Sequence, residues 1–186
     1  MGTRVFTLAP LRGLPGPIGL VWSTRGIHFL NLPEVDEQAT RARLLKHAQG
    51  AVEGPLDEAA RGWVLRIDRM LAHATTELDN LHDLPLVLDG VTPFNKRAYD
   101  VARRLLPGET RTYGEIAQDL GSPGAARAVG QAMGRNPVPI VVPCHRVLAA
   151  GGRLGGFSGA GGAFTKRLLL ALERRDRDRD RGPLFE

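Results

Sequence analysis

Apolar residues cluster in three short β-rich runs near the start of the chain, at Val5 to Leu8, Ile18 to Trp22 and Ile27 to Leu30. Ser23-Thr24-Arg25-Gly26 lies between the last two and has hairpin chemistry. The period then changes. From about Asp36 to Ala48, and again between Asp57 and Thr76 with Trp63, Ile67 and Met70/Leu71 on one face, apolar positions recur at helical spacing. Pro85 to Leu88 reads as a returning edge strand, and Asp89-Gly90 is a turn signal. Residues 1–90 are thus expected to form a mixed α/β unit.

Beyond that turn, helix start and stop signals dominate. Thr92-Pro93 supplies an N-cap and a first-turn proline for a helix with a buried stripe of Phe94, Ala98, Val101 and Leu105, stopping before Pro107-Gly108. Thr112-Tyr113-Gly114-Glu115 has the form of a capping box and opens a short helix through Ile116 and Leu120 to Gly121. Ser122-Pro123 is expected to start the next helix, which ends at Gly134. Two short helices joined by a glycine turn form a helix-turn-helix candidate. Apart from Arg127 and Gln131 the second helix carries almost only small side chains, a shape that suits close approach to a DNA minor groove or tight packing within the protein equally well.

Charge divides the chain at the same place. Residues 1–90 hold nine Lys and Arg against eleven Asp and Glu, a net of −2, whereas residues 91–186 hold sixteen against nine, a net of +7. A basic second half points to a polyanionic partner, because clustered cations gain by displacing counterions from phosphates. The segment 175–186 alternates Arg and Asp and is expected to be a charged, flexible tail. No apolar run approaches the ~20 residues of a membrane span, and the N-terminus lacks a secretory apolar region, so an intracellular, cytoplasmic protein without membrane partners is expected. With 186 residues the chain has enough material for a real core. Its one cysteine excludes internal disulfides and multi-thiolate metal sites.

That cysteine lies in the most informative stretch, NPVPIVVPCHRV from Asn136 to Val147. Three prolines and an apolar run make a stiff, extended segment that delivers Cys144 beside His145. An unperturbed thiol of pKa ~8.5 is only a few per cent thiolate at neutral pH, so a nucleophilic role needs a base or an electropositive setting. His145 is the nearest base. Sequence neighbours need not face one another, so a relay through water is expected over direct contact. The glycine-rich stretch Gly151 to Gly162 lacks the Gly-Lys-Ser/Thr of a phosphate loop and reads as a substrate loop or a connector.

NPVPIVVPCHRV, preceded by TYGEIA and AARAVGQAMGRN and followed by GGFSGAGGAFTKRLLLALE, resembles the methylated-DNA-protein-cysteine methyltransferases, also called O6-alkylguanine-DNA alkyltransferases, from about Phe94 to Glu173. The resemblance implies an α+β chain: an RNase H-like α/β domain over residues 1–90, then a mostly helical, winged-helix-like domain with a helix-turn-helix over residues 91–174. It implies irreversible, single-turnover transfer of an alkyl group from O6-alkylguanine, and also from O4-alkylthymine, to Cys144 without a cofactor. The implied partner is double-stranded DNA, bound through the minor groove by a monomer with the damaged nucleotide rotated out.

By position, the resemblance makes Cys144 the acceptor, His145 the base acting through a water, Glu173 the carboxylate that orients it, and Asn136 a hinge. Tyr113 matches a residue that turns the target phosphate and assists guanine departure at N3, and Arg127 one that fills the space left by the extruded base. The Val147 carbonyl and Ser158 match groups that read the flipped guanine, and Phe157 stands at a stacking wall where some members have tyrosine. Gly114 and Ser122 match contacts to the DNA backbone. Some members carry a structural zinc, but His28 and His82 fall short of the usual four ligands, so no metal is expected. Related lesion-binding proteins that cannot repair carry tryptophan at the cysteine position; Cys144 argues against that reading. A cysteine hydrolase would need a signature that is absent.

Overall fold

The three predicted strands form as β1 (Arg4–Ala9), β2 (Ile18–Ser23) and β3 (Gly26–Asn31), an antiparallel meander in a computed structural model that describes residues 2–72, 79–156, 159 and 161–179. β2 is buried along its whole length, as expected of a central strand. Helix α1 (Glu37–His47) packs on β2 and β3, and its N-cap Asp36 accepts from the Ala39 amide. The chain then adds β4 (Ala51–Glu53) parallel to β1, giving the sheet order β3-β2-β1-β4. This short edge strand has no hydrophobic pattern of its own.

Helix α2 (Glu58–Leu71) is capped by Asp57, which also accepts from the Trp22 indole at 3.0 Å and so ties the helix start to the sheet. The sequence pattern ran on to Thr76, but residues 73–78 are outside the described set. Pro85 to Leu88 forms a single bridge rather than a strand. The Ile27 amide donates to the Pro85 carbonyl and the Val87 amide donates to the Ile27 carbonyl, while Pro85 itself has no amide to extend the ladder.

The second half follows its capping signals. Helix α3 (Pro93–Arg103) starts at the Thr92 cap, and α4 (Tyr113–Asp119) starts at the Thr112/Glu115 capping box, both halves of which form. α5 (Ala126–Gly134) begins later than Ser122-Pro123 suggested. Pro123 and Gly124 are the central residues of a turn closed by the Ala125 amide on the Ser122 carbonyl at 2.8 Å, so turn chemistry prevails over helix initiation. A two-residue parallel pair, β5 (Arg111–Thr112) with β6 (Val147–Leu148), stitches the start of α4 to the segment after Cys144. The last helix, α6 (Ala163–Arg179), continues past residue 174, where the sequence reading placed the tail. Among the described residues no helix is long and apolar enough to cross a membrane.

Two main cores result. The first is built from β1–β3, α2 and the 81–84 turn, and it also takes Val138, Ile140 and Val141 from the extended segment and Leu169 and Leu172 from α6. The second gathers α3, α4 and α5 around Val142, Cys144 and Val147. The extended segment therefore crosses from one core to the other within a few residues of the sulfur. Arg103 of α3 reaches across as well, donating to the carbonyls of Leu81 and Leu84 at 3.0 and 2.7 Å.

Candidate active site

The segment leading to Cys144 is held by its own side chains. Asn136, just after α5, donates from Nδ2 to the Val142 carbonyl at 2.8 Å and accepts the Val138 amide on Oδ1 at 3.0 Å, closing a loop over residues 136–142. Within it Ile140 has φ of +74°, a left-handed conformation that costs a β-branched residue about 1–3 kcal/mol and persists only where packing dictates it. Its side chain, 1 % exposed in the first core, supplies that packing. A 3₁₀ turn over Cys144–Arg146 follows, and all three of its side chains are buried.

His145 is fully enclosed, and its Nε2 lies 2.7 Å from Glu173 Oε1. A carboxylate only accepts, so Nε2 carries the proton and Nδ1 is left with a lone pair. Nδ1 has no hydrogen-bond partner among the described residues, so the ring does not hold the thiol directly. Burial pushes the imidazole pKa down, outweighing the pull of Glu173, so His145 is neutral and able to take a proton. For Glu173 the balance is opposite: burial would raise its pKa, but His145 and Arg146 together hold it well below the usual carboxylate range.

Arg146, which the sequence reading passed over, completes this network. Its Nε and Nη2 donate to Glu173 at 2.8–3.1 Å and its Nη1 donates to the Leu105 carbonyl at 2.6 Å, with the whole side chain out of solvent. The Gly108 amide adds a further donor to Glu173 Oε2 at 3.1 Å. The carboxylate is thus fixed from three sides, and it in turn fixes the imidazole.

Cys144 is 7 % exposed. Burial raises its pKa, while Asn136, the charge of Lys166 and the amides of Cys144 and His145 act to lower it. Lys166 is the second group missed from sequence. It is wholly buried, donates from Nζ to the Val147 carbonyl at 2.7 Å and sits 5.8 Å from the centre of the Tyr113 ring. A signal for it was present: Lys166, Leu169, Leu170 and Glu173 repeat at i, i+3, i+4 and i+7, one face of α6 turned inward. Val147 keeps a second lone pair on its carbonyl for another donor.

Tyr113 is half-buried against the second core, which contains Cys144. Burial, and then the charge of Cys144, raise its phenol pKa, so the hydroxyl stays protonated and can donate. Its ring is approached closely by Gly155, at φ of +65°, where a Cβ would stand 3.3 Å from the phenol oxygen. Tyr113 also lines a cavity of about 520 Å³ with Ala126, Arg127, Gly130, Gln131, Gly134 and Gly156. Arg127 is exposed there, while Gly114 and Ser122 are half-buried near the ends of α4. Tyr99 was also unanticipated: its hydroxyl donates to the Ala132 carbonyl, and burial with the Cys144 charge pushes its pKa up to about 12. Phe157 and Ser158 lie outside the described residues. His28 bonds to Ser23, and no three His, Cys, Asp or Glu side chains gather as a metal site among the described residues.

Residues 93–175 match the family model for the 6-O-methylguanine DNA methyltransferase DNA-binding domain. A methylated-DNA–protein-cysteine methyltransferase of Mycolicibacterium paratuberculosis is 42% identical over 165 residues, covering 88% of this chain and 92% of the relative. One from Mycobacterium leprae is 38% identical over 170 residues, covering 88% and 91%. Among solved structures, Mycobacterium tuberculosis OGT in complex with DNA superposes with a TM-score of 0.71 at 34% identity, covering 94% of each chain. The O6-methylguanine-DNA methyltransferase of Pyrococcus kodakaraensis gives 0.68 at 28%, covering 92% of this chain and 99% of that one. By its fold and by its likeness along nearly the full length of these relatives, the chain belongs to the methylated-DNA–protein-cysteine methyltransferase family.

Proposed function

We propose that this protein repairs DNA directly, by moving the alkyl group of O6-alkylguanine onto the sulfur of Cys144 once per molecule. The observation that carries the reading is the buried His145–Glu173–Arg146 network beside the chain's one thiol. A fixed, neutral imidazole with a free Nδ1 lone pair takes the thiol proton through one water. The thiolate attacks the alkyl carbon; a carbon–sulfur bond forms as the carbon–O6 bond breaks, and the electron pair leaves with guanine. Tyr113 supplies a hydrogen bond at the base, so guanine departs closer to its neutral form, a far better leaving group than the anion. The thioether product is not opened by water, so no turnover follows. Incubating the protein with duplex containing O6-methylguanine and taking an intact mass tests this: one added methylene per molecule is expected, and an unchanged mass with fully reduced protein would refute it.

The DNA is held, in this reading, along the exposed face of α5 with that helix in the minor groove and a single protein copy on the duplex. A basic second half and the small side chains of α5 support this placement. Gly114 and Ser122 contact the backbone, and Asn136 keeps α5 in register with the nucleophile. The Val147 carbonyl reads the flipped guanine, a role the resemblance also gives to Phe157 and Ser158, which lie outside the described residues. Residues 1–90 serve as an RNase H-like scaffold for a winged-helix-like reactive part over residues 91–174. Rotating a nucleotide out of the stack costs a few kcal/mol, less where alkylation has weakened pairing.

Arg127 offsets part of that cost by occupying the gap. If it contributes only ~1.4 kcal/mol, its loss slows the reaction about tenfold. Arg127→Ala should therefore lower the second-order repair rate at least about tenfold, whereas thermal melting should stay within the ~0.5 kcal/mol usual for an exposed substitution. Equal repair rates in a single-turnover assay would remove Arg127 from this role. Tyr113→Phe keeps the ring and loses the donor. Transfer is expected to slow by about 100-fold with duplex affinity nearly unchanged; a loss confined to affinity would mean that Tyr113 serves binding alone.

A further inference from the structure

A second cavity, of about 410 Å³, is lined mainly by the first half of the chain and takes no part in the transfer chemistry. Four elements converge on it: Arg4 from β1, Arg25 from the β2–β3 turn, His28 from β3 and His47 from the end of α1. Asp89 is the one carboxylate in its lining, and Arg25 already engages it at 3.0 and 3.4 Å. Arg4 bonds to the Gln49 carbonyl, a neutral acceptor, so positive charge exceeds negative within the lining. Phe29 stacks on His47 at 3.9 Å between ring centres and stiffens one wall. The volume is in the range of small-ligand sites.

We propose that this cavity binds a phosphoryl oxyanion, gripped by the guanidiniums of Arg4 and Arg25 and flanked by the imidazoles of His28 and His47. Guanidinium forks match the geometry of phosphoryl oxygens, and charge-assisted bonds in a partly enclosed site are stronger than neutral ones. The surroundings of the two imidazoles fit. For His28, burial and then Arg4 and Arg25 push the pKa down against Asp89, with Ser23 bonded to Nε2 at 2.8 Å. For His47, burial and then Arg43 and Lys46 do the same. A bound dianion reverses the local field, drawing protons onto both rings. Pro137 forms part of the lining, and its carbonyl accepts the Leu30 amide, so the occupied site would abut the start of the segment that carries Cys144.

Phosphoryl oxygens of this kind come either from a soluble polyphosphate or nucleotide or from a nucleic-acid backbone. Imidazole proton NMR of the full chain separates them, with His82 and His145 as internal controls and assignments made by single His→Gln variants. Titration with tripolyphosphate at constant ionic strength should shift the His28 and His47 resonances saturably, raise both pKa values and leave the controls in place. Arg4→Ser combined with Arg25→Ser should weaken that binding about tenfold or more. The exposed Arg25→Ser alone should weaken it in the same direction, which covers the case of a poorly folded double variant. An undamaged duplex that gives the same Arg-dependent shifts identifies the backbone as source; shifts from tripolyphosphate alone identify a soluble phosphate. No saturable shift with either probe, or undiminished binding in folded Arg25→Ser and double variants, overturns the proposal. This site does not depend on the repair reaction, so either reading can fail alone.

Discussion

Replacing Cys144 by alanine is expected to abolish alkyl transfer altogether while duplex binding survives. In the proposed reaction the sulfur is the bond-forming atom, and the other groups only make it reactive, assist guanine departure or hold the damaged nucleotide in reach. No second cysteine exists to substitute for it. Removing the thiol also trims a buried side chain of modest size in the second core, so the cost to folding should be about 1–2 kcal/mol. Single-turnover assay with O6-methylguanine duplex, read by intact mass, should show no methylene gain at any protein excess, and the variant should still retard the duplex in a gel. Residual transfer in the alanine variant would locate the acceptor elsewhere and end the proposed mechanism.

Glu173→Gln should have the largest effect on stability. The amide still accepts a hydrogen bond but no longer neutralises Arg146, whose guanidinium stays fully buried. Breaking a buried pair from one side costs about 3–5 kcal/mol, most of it the desolvated charge left behind. Denaturant midpoints should fall accordingly at constant slope. Adding Arg146→Met should recover part of the loss, because the stranded charge is removed; a double variant as unstable as the sum of the two singles would mean that the residues do not act as a pair. Transfer should slow in Glu173→Gln as well, since the amide no longer selects the imidazole tautomer with Nδ1 free.

The same network sets the response to acid. His145 has a folded pKa below its unfolded value near 6.5, so its contribution to stability is present above that pH and fades as pH falls through the folded value. Glu173, also depressed from its ordinary 4.5, contributes fully above that value and loses its contribution as pH falls towards its own folded pKa. Both slopes have one sign, so stability should decline first below about 6.5 and more steeply below about 4.5. In Glu173→Gln the second stage should be shallower, checked by urea melts between pH 7 and pH 3.

Features governed by neighbours in sequence were legible in advance. Thr92 and Thr112 each cap the helix they were expected to start, and Asp36 and Asp57, where the two earlier helical patterns begin, cap theirs in the same way, because a side-chain oxygen and an amide three residues on need nothing else. The pairing of Glu173 with His145 was implied by the resemblance, and the fold brings the carboxylate 28 residues along the chain to the imidazole. What escaped was set at long range. β4 and the β5–β6 pair are too short to have a period, and they exist because distant backbone offers them a partner. Arg146 and Lys166 look like surface charges in a linear chain; only carboxylate and carbonyl partners 27 and 19 residues away make their burial tolerable. Ser122-Pro123 carried a plausible helix start that turn formation overrode.

Anyone wishing to shorten this protein to its sulfur-bearing part meets an obstacle in the way the extended segment is shared. Val138, Ile140, Val141, Leu169 and Leu172 all come from beyond residue 136, yet they complete a core whose other buried members all come before residue 85. Excising the first ninety residues would turn these five side chains out to water and release the strained Ile140 linkage that aims Cys144. The scaffold is in this sense half of the reactive loop's mould, and a minimal version would have to supply a new apolar surface for those five residues before it could hold a thiol in place.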